Sequence, residues 1–447
     1  MSDAALLQRR LTAFRDRRDA VPRDTRDGPR SVAARDRSGD LAERLARAVG
    51  GVVIQTDRGR VVRRDVSSAV TPLDRHGLEH LPGWPGAGVP LVCLDTETTG
   101  LATAAGTVAF LVGVGRWSGE TFDQVQLLLP DHSDEPALLA ALADILPLDG
   151  WLVTYNGRGF DWPLLEARYR MDRRPAPRLA GHLDLLPFVR RVFRHRLEDA
   201  RLRSVERGLL GIRRVGDVDG WEIPGRYLDF LRGGPASPLA DVVRHNELDI
   251  ASLAGLLGHV ANSLADPGGR AATPAGDLLG LGRVYRSARR HGDALACLDA
   301  ALTRIAPPAA TDPVTRRARD AVVIERARTL RRLGRAGEAL DAWRELATAG
   351  GPCAGIALVE VAKALEHRWA DPVGALAAVE RARALADRAR SIGRPMPNLE
   401  VDLAHRRRRL VGRIARRRVR PAAIAARSGA RRTPRVSAER QAEPVVA

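Results

Sequence analysis

Leu91-Val92-Cys93-Leu94-Asp95-Thr96-Glu97-Thr98-Thr99-Gly100 is the stretch on which the reading of the whole chain depends. The apolar run that follows Pro90 is too short for an amphipathic helix and fits a buried strand. Side chains alternate across a strand, so Asp95 and Glu97 share a face, a few ångströms apart. Two carboxylates held that closely repel each other unless a proton or a cation lies between them. The alternative is a helix start capped by Thr98 or Thr99, with both acids in solvent. Matching acids further along decide between the two.

Outward from this stretch, Thr107 to Val114 and Thr121 to Leu129 have strand character and are joined by the turn Trp117-Ser118-Gly119-Glu120. A helix is expected over Glu135 to Leu146, a strand over Trp151 to Tyr155, a helix over Asp161 to Tyr169 and a strand over Leu179 to Leu183. Helices follow at Leu185 to Val192, Leu202 to Leu210 and Leu239 to Asn262. This order predicts an α/β domain over residues 90–264, a mixed five-stranded sheet with flanking helices. Gly113-Val114-Gly115 has no helix after it, which favours a hairpin turn over a dinucleotide loop.

Upstream, residues 1–40 form a mobile arm rich in Arg and Asp. Residues 41–89 form a small region of unknown role, with a helix at Leu41 to Val49 and short strands at Val52-Val53-Ile54 and Val61-Val62 around the Asp57-Arg58-Gly59 turn. Pro82-Gly83-Trp84-Pro85-Gly86 marks a linker. Downstream, Pro267 to Pro274 breaks the pattern, and only helices follow. Gly292-Asp293-Ala294-Leu295 is echoed by Gly337-Glu338-Ala339-Leu340 and more weakly by Val373-Gly374-Ala375-Leu376. Each follows an amphipathic helix: Leu281 to Ala288, Val322 to Leu333 and Ile356 to Glu366. Leu281-Gly282-Arg283-Val284-Tyr285 has the spacing of a tetratricopeptide repeat, so residues 275–400 resemble an all-α repeat domain. A generic helical bundle is the alternative. Residues 401–447 are expected to form an Arg-rich, largely disordered tail, dense in Arg from His405 to Arg420 and disordered from Pro421 onward.

The chain of 447 residues carries a formal charge of +18, which favours a polyanionic partner. The basic residues are nearly all Arg, with Lys363 the only lysine, so genome composition contributes to that bias. Cys93, Cys297 and Cys353 are scattered without CxxC spacing, which fits a reducing compartment and neither a disulfide framework nor a structural zinc site. The polar N-terminus is unlike a secretory signal, and no apolar run approaches the length of a bilayer span. A cytoplasmic protein is expected.

Further acids occur in two segments. The first is Thr154-Tyr155-Asn156-Gly157-Arg158-Gly159-Phe160-Asp161-Trp162-Pro163, where Asp161 precedes a proline-initiated helix and could serve as its cap. The second is Arg244-His245-Asn246-Glu247-Leu248-Asp249-Ile250. His245 and Asp249 lie one turn apart on one helix face, and Ile250, Leu253, Leu256 and Leu257 supply a docking stripe. Taken alone, the pair is also compatible with a surface ion pair.

Together, Asp-x-Glu on the first strand, Asp after Asn-Gly-x-x-Phe and His-x-x-x-Asp on a late helix resemble the DEDD (DnaQ-like) 3′–5′ exonuclease superfamily, over roughly residues 90–262. Joined to tetratricopeptide-like repeats, the layout looks like the bacterial YprB-type ribonuclease H-like proteins. The resemblance implies that Asp95, Glu97, Asp161 and Asp249 hold two divalent metal ions, Mg²⁺ or Mn²⁺, for which oxygen ligands are suited. It implies that one ion activates a water and the other stabilises the leaving 3′ oxygen. His245 would orient or deprotonate that water as general base, a role that suits an imidazole. Family members with a catalytic histidine place it five residues before the last aspartate, and those with tyrosine four before; His245 stands at the tyrosine spacing. Thr98, Asn156 and Arg158 are expected to touch substrate, and Asp184 is a further acid near the site.

Arg158, Arg168, Arg190 and Arg191 are candidates for phosphate contacts, and Arg406 to Arg420 for non-specific affinity or a solvated extension. Few aromatics accompany them, so no base-stacking platform is evident. The leading expectation is a metal-dependent 3′–5′ exonuclease acting on DNA or RNA at a single-stranded end. The alternatives are a catalytically inactive nucleic-acid-binding protein and a repeat-based adaptor with a protein partner.

Overall fold

A computed structural model of the chain describes residues 40–69, 73–79, 84, 86, 88–100, 106–265, 273–305 and 312–429. The expected mobile arm lies outside them apart from Asp40, as do most of the Pro82 to Gly86 linker and most of the Pro267 to Pro274 break. Asp40 caps α1 (Leu41–Val49) by accepting from Ala42 N–H, and Gly50 ends it at φ +68°. Ala42, Leu45, Ala46 and Val49 form its buried stripe.

Among the described residues, seven strands make one sheet: β1 (Val52–Thr56), β2 (Gly59–Ala69), β3 (Leu91–Thr98), β4 (Ala109–Ser118), β5 (Thr121–Leu128), β6 (Gly150–Thr154) and β7 (Leu179–Asp184). Their order is β1-β2-β5-β4-β3-β6-β7. Pairing is antiparallel from β1 to β3 and parallel from β3 to β7. The five strands expected between Leu91 and Leu183 all form. The hairpin β1–β2, expected in a separate small region, extends the same sheet, with β2 lying along β5 from Val62↔Leu128 to Ala69↔Thr121. Sequence periodicity assigns strands but not partners, so this pairing was not legible.

In chain order the helices around the sheet are α2 (Arg75–Leu78), α3 (Glu135–Ile145), α4 (Asp161–Met171), α5 (Leu185–Val192), α6 (Leu202–Val205), which runs into a π-helical turn at Glu206–Leu210, α7 (Ile223–Leu231) and α8 (Pro238–Ala265). One face buries Val92, Leu94, Leu139, Leu165, Tyr227, Phe230 and Val242. The other buries Leu91, Cys93, Val189, Ile250, Leu253 and Leu257. Val92 and Leu94 thus face one core and Leu91 and Cys93 the other, as period-2 alternation requires. A mixed sheet with flanking helices, the architecture of a ribonuclease H-like region, is followed by an all-helical region.

Gly113 and Gly115 are not a turn. They lie inside β4, opposite Asp95 and Cys93 respectively, and the β4–β5 turn comes later, at Ser118 to Thr121. A Cβ on Gly113 would stand 2.1 Å from Ile250 Cδ1 and 2.2 Å from Asn246 Oδ1; one on Gly115 would stand 2.6 Å from Ile250 Cγ2. The two glycines therefore let α8 lie against the sheet at backbone range, directly beside Asp95.

The helical region comprises α9 (Ala275–Ser287), α10 (His291–Arg304), α11 (Pro313–Arg332), α12 (Ala336–Ala349), α13 (Ala354–His367), α14 (Pro372–Ser391) and α15 (Pro397–Gly429). The α9–α10 pair shares the second core of the sheet domain through Leu278, Leu281, Tyr285 and Leu298. At Gly280, α9 meets the backbone of α5 so closely that a Cβ would lie 2.5 Å from Val192 Cα. Buried Asp277 pairs there with Arg196 at 2.9 Å. The later helices share their own core around Trp343, Leu346, Leu358 and Val379. Of the tail expected to be largely disordered, residues 401–429 are helical, with Leu403 and Leu410 fully buried and Arg409 and Arg413 reaching buried Glu366 on α13; residues 430–447 lie outside the described residues. Among the described residues no helix is long and apolar enough to cross a membrane.

Candidate active site

β3 carries Asp95 and Glu97 on the face where α8 docks. α8 brings His245 and Asp249, one turn apart, to the same place. Burial, then the charges of Asp249, Asp161 and Glu97, push the Asp95 carboxyl well above the usual carboxylate range, against an opposing hydrogen bond from Asn246. Glu97 is raised in the same way by burial and by Asp249, Asp161 and Asp217, with Arg214 opposing. Burial raises Asp249 despite His245 and Arg214, and pushes Asp161 up to about 6. Four carboxyl groups from three separate segments therefore sense one another's charge. Glu97, His245 and Asp249 keep 14%, 12% and 19% side-chain exposure, so the site stays open to solvent.

A buried polar chain supports Asp95. Asn246 Nδ2 donates to Asp95 Oδ2 at 2.9 Å, and Gln126 Nε2 donates to Asn246 Oδ1 at 2.9 Å. Arg64 on β2 donates to Gln126 Oε1 at 2.6 Å and pairs with Glu247 at 2.8 Å. Fully satisfied in this way, Asn246 is fixed and Asp95 with it.

His245 is held from behind. Its Nδ1 lies 2.8 Å from Asp217 Oδ1, and its Nε2 faces Glu97 Oε1 at 3.9 Å and Asp249 Oδ2 at 3.7 Å. Burial acts to raise the Asp217 carboxyl, but hydrogen bonds from His245, Arg203 and Arg214 outweigh it and hold Asp217 below the usual range. An anionic Asp217 fixes the tautomer with the proton on Nδ1 and the lone pair on Nε2, toward the acids. Arg214, whose side chain is 4% exposed, pairs with Glu206, Asp217 and Asp249 together and balances part of the negative charge.

The donor set is all carboxylate, buried and mutually repelling, which is the chemistry that hard divalent cations relieve. Among the described residues, no three acid, histidine or cysteine side chains converge closely enough to enclose an ion. Asp161 accepts a hydrogen bond from Thr96 and Asp249 from Arg214, so one oxygen of each carboxylate is already engaged by a protein donor. The residues fit such ions by type and charge.

The other expected residues are more dispersed. Asp161 is the first residue of α4; the cap position before it is Phe160, which makes no side-chain cap hydrogen bond. Thr98 is buried and donates to Gly100 O at 2.6 Å. Asn156 is exposed at φ +71°, a conformation asparagine tolerates, and a Cβ on Gly157 would lie 2.6 Å from the Thr154 side chain. The Asn-Gly pair thus shapes the turn after β6. Asp184 accepts from the N–H groups of Asn156, Arg158 and Leu186, which anchors that turn and caps α5. Arg158 is exposed and also donates to His182 O. Arg168 pairs with Glu135 between α4 and α3, so it is a structural tie and not a phosphate contact. Arg191 reaches Ser287 of α9, and Arg190 is exposed.

Sequence reading missed Arg64, Gln126, Asn246, Glu206, Arg214 and Asp217. One signal was available: Asn246 sits a turn before Ile250 on the apolar stripe of α8, a polar residue at a core position. Asp217 and Arg214 lie in an irregular segment with no periodicity to mark them.

A family model described as the RNase H superfamily matches residues 92–261. Among curated proteins, the chain is similar to the uncharacterized protein YprB of Bacillus subtilis (strain 168), 28% identical over 349 residues, which is 77% of this chain and 81% of that protein. These matches agree with the ribonuclease H-like fold and point to nucleic-acid-processing hydrolysis as the class of chemistry.

Proposed function

We propose that the chain is a metal-dependent 3′–5′ exonuclease of the DEDD (DnaQ-like) type, hydrolysing phosphodiester bonds of DNA or RNA. The observation that carries this reading is the grouping of Asp95, Glu97, Asp161 and Asp249, each raised by burial and two of them, Glu97 and Asp249, beside the Nε2 face of His245. The four carboxylates would hold two divalent ions, Mg²⁺ or Mn²⁺, which when bound supply Lewis-acid activation of water and of the phosphoryl oxygens. His245 accepts the proton of the attacking water at Nε2, and Asp217 holds the imidazole in the tautomer that permits it. Asn246 and its partners fix Asp95, and Arg214 limits charge build-up before the cations arrive. The tetratricopeptide-like reading of α9–α14 is part of the same proposal and leaves room for a protein partner.

The test is incubation of purified protein with 5′-labelled single-stranded DNA and RNA in Mn²⁺, Mg²⁺ or EDTA, beside Asp95→Ala. A metal-dependent ladder shortening from the 3′ end, absent in the variant, is expected. One observation favours a second reading, a nucleic-acid-binding protein without turnover: Arg214 already occupies Asp249. Retarded but intact strands in every lane would select it and overturn the first.

A further inference from the structure

The segment 211–222, between the π-helical turn and α7, has two sides. Its inward side chains Arg214 and Asp217 are 4% and 5% exposed and touch Asp249 and His245, and Val218 is buried in the first core. Its outward side chains are large and apolar: Ile212 is 41% exposed, Val215 85% and Trp221 60%. Val215 directly follows Arg214, so it stands one residue step from a group bonded to Asp249. Trp221 Nε1 donates to Asp219 Oδ2 at 3.4 Å, and Asp219 pairs with Arg203, the residue that also holds Asp217 at 2.8 Å. The ion pairs that position His245 therefore also tether the indole. Arg213, and Arg244 beside His245, are exposed.

We infer that this segment is the rim that receives the unpaired end of a nucleic-acid strand. Trp221 offers a stacking face for a base near the end, Val215 packs against its neighbour, and Arg213 and Arg244 contact the phosphates. Stacking on an indole accepts any base, and such contacts add affinity without sequence preference. Continuity with the acid site and the positive charge of the two arginines favour a nucleic acid over a protein. The inference rests on the proposed nuclease reading and narrows it to single-stranded ends.

The test is binding of 5′-fluorescein-labelled dT12 and rU12, and of a blunt 12-base-pair duplex, to the full chain in EDTA, followed by anisotropy. Trp221→Ala should weaken binding of at least one single strand by about tenfold or more, and Val215→Ser by less. Trp369→Ala, an exposed tryptophan on the helical region, should bind as wild type. Duplex affinity should change little in any variant, which separates lost stacking from lost folding. Wild-type affinity of Trp221→Ala for both single strands would overturn the inference, as would equal losses in Trp221→Ala and Trp369→Ala or failure of the wild type to bind either strand. Because no turnover is needed, binding that depends on Trp221 in a protein that does not cut would sink the nuclease reading and leave the rim standing. Cutting with no effect of Trp221 would do the reverse.

Discussion

Substituting Gly113→Ala adds one methyl group at the point where α8 meets the sheet. The new Cβ would lie 2.1 Å from Ile250 Cδ1 and 2.2 Å from Asn246 Oδ1, against about 3.5–4.0 Å for unstrained carbon contacts. Relief of about 1.5 Å is needed, and neither neighbour yields freely. Ile250 is fully buried, and Asn246 Oδ1 is held by Gln126. Overpacking of this kind destabilises by about 1–3 kcal/mol. If α8 retreats instead, His245 and Asp249 move by about 1 Å from Asp95 and Glu97, which costs about 10²-fold in rate. Gly258→Ala is the matched control: it lies in the same helix with nothing within 4 Å, and should be neutral or stabilising by up to about 1 kcal/mol. Thermal melting, read by circular dichroism, and turnover of a labelled strand are the two assays. A Gly113→Ala protein that melts and cuts like the wild type would refute the claim that this close approach sets the site.

Other expectations concern the acids and the histidine. Asp95→Asn removes one of four mutually repelling carboxylates, so the metal-free protein should melt a few degrees higher while cleavage falls about 10³-fold or more; lower thermal stability would contradict the repulsion. Asp161, raised to about 6, holds a proton in the fold at pH values where the unfolded chain has lost it. The metal-free protein should therefore be more stable near pH 4–5 than at pH 7, losing stability as pH rises through about 6, and Mg²⁺ should flatten that slope in melting curves. Asp217→Asn weakens the hold on His245 and should lower kcat by about 10- to 100-fold with little change in KM; a change confined to KM would assign Asp217 to substrate binding instead.

Much of this was legible because the pattern was local. Asp95 and Glu97 on one face followed from alternation, and His245 and Asp249 on one face from helical pitch. The Asn156-Gly157 signal was visible too, and the structure ties it to a left-handed turn and a tight contact with Thr154. What stayed hidden depends on which segments meet. Gly113 and Gly115 suggested a turn because the reason for Gly113, and part of the reason for Gly115, is a helix more than a hundred residues away in the chain; Gly115 is also crowded by Phe122 on β5. Asp217 and Arg214 lie in an aperiodic segment, and their partners come from α6, its π-helical turn and α8. The docked helix α15 was misjudged because its arginines outweigh, by composition, the spaced Leu403 and Leu410 that bury it.

The β1–β2 hairpin carries a warning for anyone shortening this protein. A fragment cut at the limits of the matched family region, 92–261, would remove β2 from β5 and leave a row of free N–H and C=O groups along Thr121–Leu128. That strand has Phe122, Val125, Leu127 and Leu128 all buried, so its bare edge would invite another copy to pair with it. Arg64 would leave with the hairpin, and Gln126 would lose the donor that steadies Asn246. Such a fragment is expected to self-associate and lose its active geometry through the loss of this hairpin. A soluble, faithful truncation has to start at or before Asp40.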